Sequence, residues 1–230
     1  MAAHGKKYLK AREALNAKSN LSLQEGIAKA KALAYARFDE SVDININLGI
    51  DPSKGEQVVR GSVILPHGIG KKAIVIAFAK GDYADAALKA GADFVGAEDL
   101  IEKIEGGWMD FTYAVATPDL MGLVGKVAKV LGPRGLLPNK KSGTVTFDIG
   151  PVVEDLKRGR LFFKNDKNGL VHFSCGRISF PVTSLHENLV AFVRALAASK
   201  PPTSKGKFLR KGTLSSTMGV GIPVNLDEAL

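Results

Sequence analysis

Polar and apolar positions along this chain follow different periods, and each period predicts its own kind of element. Over residues 6–17 and 22–34, Ala, Leu, Lys and Glu dominate, with Leu9, Leu15, Leu23, Ile27 and Leu33 at helical spacing, which predicts two helices. Ser22 followed by Glu25 has capping-box spacing, so the second helix should begin there. From Phe38 the period changes to two: Val42, Ile44, Ile46 and Leu48 alternate with Asp43, Asn45 and Asn47, predicting a half-buried strand that runs to about Ile50. Residues 51–55 form a turn, and residues 61–65 a second strand that Pro66 stops.

The pattern then becomes repetitive. Residues 73–79 are a continuous apolar run of the buried parallel-strand type, followed by a helix over 83–90, a strand over 94–96 and a helix over 99–104. A strand over 113–117, a helix over 120–131, a strand over 144–147 and a helix over 152–157 complete the block. Strand and helix in alternation predict an open, Rossmann-like α/β sheet with helices on both faces. Beyond Gly159 the strands return. Residues 161–163 and 170–174 flank Asn165-Asp166-Lys167-Asn168-Gly169, which reads as a hairpin turn. An amphipathic helix over 184–199 carries Leu185, Leu189, Phe192, Val193 and Leu196 on one face, and residues 207–214 and 220–224 form a closing strand pair.

The fold class that follows is mixed, α/β and α+β, in a discontinuous two-domain protein. One α+β domain is split between residues 1–67 and 160–230, with an α/β three-layer domain inserted at 68–159. The two crossings, near residues 66–70 and 157–160, make a hinge the expected behaviour.

Charge sharpens that division. The chain has 230 residues and a formal net charge of +9. Residues 68–159 hold 12 Lys and Arg against 12 Asp and Glu, which leaves 20 against 11 for the two ends. A cationic footprint confined to the ends suggests one shared surface for a polyanion. Its core is the stretch 205–224, where Lys205, Lys207, Arg210 and Lys211 lead into Ser215-Ser216-Thr217-Met218-Gly219-Val220-Gly221. Cations that hold phosphates there precede a small, hydrogen-bonding edge that a backbone can approach closely. Arg37-Phe38-Asp39-Glu40-Ser41 adds a cation and an aromatic ring that reads either as core or as a stacking platform, and the carboxylates Asp39, Glu40 and Asp43 are able to accept from base amino groups. Lys164, Lys167 and Arg177, with Asn165, Asn168 and His172, add the later turn.

Enzymatic readings fare worse. Gly68-Ile69-Gly70-Lys71-Lys72 precedes a strand, whereas a dinucleotide fingerprint follows one and opens a helix. Gly122 and Gly125 fall inside a predicted helix, and Lys80-Gly81-Asp82 offers a single glycine where a phosphate loop needs several. His4, His67, His172 and His186 lack ligand spacing, and no nucleophile, base and orienter can be assembled. The lone cysteine, Cys175, excludes an internal disulfide and reads as a buried small side chain. No apolar run reaches the ~20 residues of a membrane span, and residues 1–7 lack a signal peptide's apolar core, so the expected location is the cytoplasm. No cofactor and no metal are expected. A nucleotide-dependent enzyme built on the insert and an anion-binding domain without sequence choice remain as rivals.

Several runs together identify a resemblance. Arg37-Phe38-Asp39-Glu40-Ser41-Val42, Leu65-Pro66-His67-Gly68-Ile69-Gly70-Lys71, Gly107-Trp108-Met109-Asp110-Phe111, Leu131-Gly132-Pro133-Arg134-Gly135-Leu136-Leu137-Pro138-Asn139 and Ser216-Thr217-Met218-Gly219 are similar to the bacterial L-one family of large-subunit ribosomal proteins. The resemblance covers nearly the full length. It implies a monomer when free that binds a helix-and-loop element of the large-subunit (23S-type) rRNA at the mobile stalk, next to the tRNA exit (E) site. It further implies help in releasing deacylated tRNA, and repression of translation through its own operon mRNA. Carried over by position, the RNA-binding residues are Arg37, Phe38, Glu40, Lys164, Lys167, His172, Ser216, Thr217, Met218 and Gly219, with Arg134, Lys140 and Lys141 as tRNA-facing candidates. The acidic ending 227–230 lies outside the pattern and is expected to be dispensable.

Overall fold

Ser22 starts the second helix as its spacing predicts: its hydroxyl accepts from the Glu25 amide and the Glu25 carboxylate accepts from the Ser22 amide. The computed structural model describes residues 5–15 and 20–229; the helix tail expected at residues 16 and 17 and the segment 1–4 lie outside them. In order, the chain forms α1 (Lys6–Leu15), α2 (Leu23–Leu33), β1 (Ser41–Leu48), β2 (Arg60–Ile64), β3 (Val75–Phe78), α3 (Asp82–Lys89), β4 (Phe94–Gly96), α4 (Glu98–Glu105) and β5 (Tyr113–Ala116). It continues through α5 (Met121–Val124), α6 (Ala128–Leu131), α7 (Ile149–Arg158), β6 (Arg160–Lys164), β7 (Leu170–Arg177), α8 (Val182–Ala198), β8 (Leu209–Ser216) and β9 (Ile222–Val224).

Two compact units result. Residues up to Gly70 and from Phe162 onward make one, and Lys71–Leu161 make the other. In the first, an antiparallel sheet of order β7-β1-β8-β9 turns Val42, Ile44, Ile46 and Leu48 of β1 inward, where they are fully buried. Helices α2 and α8 pack on this face. The predicted stripe of α8, Leu185, Leu189, Phe192, Val193 and Leu196, is fully buried, each side chain contributing about 1.5–3 kcal/mol. Phe192 stacks on Phe173 at 3.9 Å and meets Phe163 edge-on at 5.6 Å. At Gly26 a Cβ would lie 2.5 Å from Val224 Cγ1, so the absent side chain is what lets α2 lie close to β9.

Strand alternation turns polar residues to the other face of the same sheet. The register sets Ser174, Asp43 and Ser215 side by side, then His172, Asn45 and Thr213, then Leu170, Asn47 and Lys211. These side chains are half-buried or exposed.

The second unit is built on a parallel sheet of order β4-β3-β5. Ile76, Phe78, Ala114 and Ala116 join a core with Leu100, Ile101 and Ile104 of α4 and with Leu120, Val124, Val127 and Leu131. Helices α3 and α7 pack together against the sheet.

Four expectations need correction. Residues 161–163 and 170–174 do not form a hairpin: β6 pairs with β2 in a separate ribbon, and a single bridge joins Asn165 to Val171. The cause is Asn165, whose buried side chain and backbone bond both sides of Val59 and steer β6 away from β7. The helix expected over 120–131 is broken by a 3₁₀ turn at Gly125–Val127, where glycine weakens the α conformation. Residues 144–147 form one bridge, Ala116 to Val145, and no strand. The acidic ending is engaged: Glu228 accepts from the Leu23 amide at 3.3 Å, Asp227 pairs with Lys207 at 3.0 Å, and Ala229 is buried. A carboxylate at the N-terminus of α2 faces the helix's free amides.

Candidate nucleic-acid interface

The loop between α2 and β1 is fixed from two sides by residues far away in sequence. Glu40 is 1% exposed; its Oε1 accepts from the Ala36 amide at 2.8 Å, and its Oε2 from the Ser216 hydroxyl at 2.6 Å and the Met218 amide at 3.0 Å. Burial pushes this carboxyl upward, but the Ser216 hydroxyl and the amides of Met218, Ala36 and Tyr35 outweigh it and hold it below the usual glutamate range. It is an anion used as a staple. Ser41 and Thr217 reinforce it, the Ser41 amide donating to the Thr217 hydroxyl oxygen at 2.9 Å and the Thr217 amide to the Ser41 carbonyl at 3.1 Å. The Tyr35 hydroxyl donates to the Met218 carbonyl at 2.5 Å.

On the other side Asp39 accepts from the Ser179 amide at 3.1 Å and hydroxyl at 2.9 Å, while its carbonyl accepts from Arg177 Nη1 at 2.9 Å. The outcome is a rigid rim that presents two apolar groups to solvent: Phe38 is 56% exposed and Met218 52%. Their exposure makes both side chains available to a partner, and neither belongs to the buried core.

Among the expected residues, Arg37, Phe38, Thr217, Met218 and Gly219 therefore share one rim, with Glu40 and Ser216 buried beneath it. The side-chain oxygens of those two already bond within the protein. Gly219 has no room for a side chain, because a Cβ there would press on the Ser216 hydroxyl.

Lys164, Lys167 and His172 gather elsewhere. Lys164 and Lys167 are exposed around the 165–169 turn, which Asp166 closes by accepting from the amides of Asn168 and Leu170, each at 2.8 Å. The Leu170 amide bond first, then Asn168 and the neighbouring His172, hold the Asp166 carboxyl below its ordinary value. His172 Nδ1 lies 2.6 Å from Asn45 Oδ1, and its Nε2 lies 3.7 Å from Asp166. Rim and turn lie at opposite ends of β1, because Ser41 bonds Thr217 whereas Asn47 pairs with Leu170. At ~3.3 Å per residue the two ends are separated by roughly 20 Å.

Between them runs the polar face of the sheet, with Asp43, Asn45, Ser174, Thr213, Ser215 and Lys211. Apart from Asp43 and the residues at 211 and 215, this set escaped the sequence reading, although the period-two polar positions of β1 were its signal. Among the described residues, no group of three or more His, Cys, Asp or Glu could hold a metal ion, and no helix is long and apolar enough to cross a membrane. Cys175 is fully buried, and burial pushes its thiol up.

Residues 29–220, which include the rim, the turn and the face between them, match the Ribosomal protein L1p/L10e family. The chain belongs to this family. It is 51% identical over 230 residues to the large ribosomal subunit protein uL1 of Desulfosudis oleivorans, covering 100% of this chain and 97% of that protein. The uL1 protein of Desulfotalea psychrophila is 48% identical over 225 residues, 98% of this chain and 96% of its own length. That of Thermus thermophilus is 49% identical over 226 residues, covering 98% and 99%. Members of the L1p/L10e family are ribosomal, RNA-binding and non-enzymatic, so the nucleotide-dependent enzyme considered for the insert is set aside.

Proposed function

We propose that this chain is a structural protein of the large ribosomal subunit that grips the helix-and-loop element of the mobile rRNA stalk, next to the tRNA exit site. One observation carries the reading: the Glu40 staple holds Phe38 and Met218 outward on one rim while Lys164 and Lys167 stand exposed around the turn beside the far end of β1. Phe38 stacks on a base or sugar of an RNA loop. The Thr217-Met218-Gly219 edge meets ribose hydroxyls, and the lysines hold phosphates.

The unit Lys71–Leu161 then serves tRNA. The charge balance of residues 68–159 conceals segregation, since residues 81–119 hold nine acidic and two basic side chains whereas residues 120–147 hold five basic and none acidic. The basic segment, with Arg134 and Lys140, contacts deacylated tRNA and moves with it as it leaves. In its own operon mRNA a similar helix-and-loop element binds the same rim, which represses translation. The free protein is a monomer in the cytoplasm and needs no cofactor.

A binding titration against the stalk rRNA fragment at several salt concentrations tests the reading. Lys164→Ala and Lys167→Ala should each weaken binding to all RNAs and flatten the salt dependence by about one unit. Unchanged slopes for both variants would remove the turn from the interface.

A further inference from the structure

Three carboxylates, Asp39, Glu40 and Asp43, stand close together in the sequence, and the structure separates their roles. Asp39 is consumed by Ser179 and Glu40 by Ser216, Met218 and Ala36. The Asp43 side chain makes no hydrogen bond or ion pair among the described residues. It occupies the middle of the polar sheet face, with Ser174 on one side and Ser215 on the other, and Ser41 and Asn45 two positions away along its own strand. The basic side chains nearest in register are engaged elsewhere: Arg177, opposite Ser41, with the Asp39 carbonyl, and His172, opposite Asn45, with Asn45 and Asp166. Its charge is felt through the sheet, where burial first and Asp43 second push the Cys175 thiol up.

We propose that Asp43 is a specificity-determining residue for RNA binding, an acceptor reserved for a hydrogen-bond donor of the RNA. This rests on the reading that RNA lies across this sheet face. An ionised carboxylate accepts hydrogen bonds and donates none. A phosphate oxygen offers only acceptors and a like charge, so a phosphate over the centre of the face is repelled. A ribose 2′-hydroxyl or an exocyclic amino group brings the missing donor. The face thus carries cations at both ends, Arg37 at the rim and Lys164 and Lys167 by the turn, with a lone anion between them. That charge order fits an RNA whose backbone touches the ends while a ribose or base edge faces the middle, and it penalises polyanions that lie in any other register.

The test measures affinities of the full-length protein and its Asp43→Ala, Asp43→Asn and Lys211→Ala variants for three probes. These are the stalk rRNA fragment, the same fragment with 2′-deoxyribose in its loop, and random RNA of equal length. Melting temperatures confirm that each variant is folded. Asp43→Ala should bind the stalk fragment about 10-fold more weakly and random RNA about 3-fold more tightly, within the span a lost specific contact and a removed like charge produce. Asp43→Asn should share the gain on random RNA and lose less on the stalk fragment. If the loss disappears on the deoxyribose probe, the donor is a 2′-hydroxyl; if it persists, the donor is a base amino group. An unchanged ratio between stalk and random RNA in Asp43→Ala overturns the proposal. Lys211 shares this face, so its replacement tells the two failures apart. Weaker binding of both RNAs by Lys211→Ala, beside an unchanged Asp43→Ala ratio, removes only the role of Asp43. Wild-type behaviour of both variants removes the sheet face from the interface.

Discussion

At the scale of single residues, Glu40 shows how a side chain can govern a surface it does not reach. Its two oxygens hold three donors from two segments, and the nearest sequence signal, a carboxylate beside Phe38, gives no hint of this because Ser216 is 176 residues away. Glu40→Gln would set an amide NH₂ against the backbone N–H of either Ala36 or Met218 and leave one donor unmatched, at a cost of roughly 1–3 kcal/mol at neutral pH. The carboxyl is held below its ordinary value in the folded state, so its ionisation stabilises the fold above the unfolded-state pKa. That stability is lost as the pH falls through the folded-state pKa. Melting curves of wild type and Glu40→Gln should therefore diverge at pH 7 and draw together on acidification below about pH 4.5, the ordinary glutamate value. A gap that stays constant down to pH 3 would mean that shape, not charge, makes the staple. Phe38, by contrast, was legible as a stacking candidate from its neighbours, but its exposure depends on that hidden staple.

At the scale of elements, what local chemistry dictates was readable and what distant partners dictate was not. The start of α2 follows from Ser22 and Glu25 alone, and the inward face of α8 from its 3.6-residue period. The 165–169 turn was also readable, yet its flanking strands go to different sheets, because Asn165 selects Val59 as its partner. Asn188 on α8 is a second such residue. It is completely buried, accepts from the His67 amide at 3.1 Å, and donates to the carbonyls of Gly68 and Cys175, each at 2.9 Å. It ties the segment after β2 to both α8 and β7. Asn188→Ala leaves one amide and two carbonyls without these partners and should cost roughly 2–4 kcal/mol. Hydrogen exchange should show the His67 amide losing protection far more than amides at the centre of β8. Equal loss at both places would indicate general loosening of the unit.

At the scale of the whole molecule, the net charge says less than its order along the chain. The uneven split between the ends and residues 68–159 was visible at once, and it directs attention to the ends. Which of those cations share a surface was not visible, because strand register decides it: Asn47 brings Lys211 beside Leu170, and Ser41 brings Thr217 to the rim. The interface proposed for RNA is thus a strip along β1 with its ends some 20 Å apart by strand rise, cationic at both ends and anionic at Asp43. Hydrogen exchange of the full-length protein, with and without the stalk rRNA fragment, tests this strip most directly. The account predicts new protection in residues 35–45, 164–174 and 211–219, and little change in α8. Protection confined to residues 71–161, with the rim and the turn exchanging as in the free protein, would contradict it.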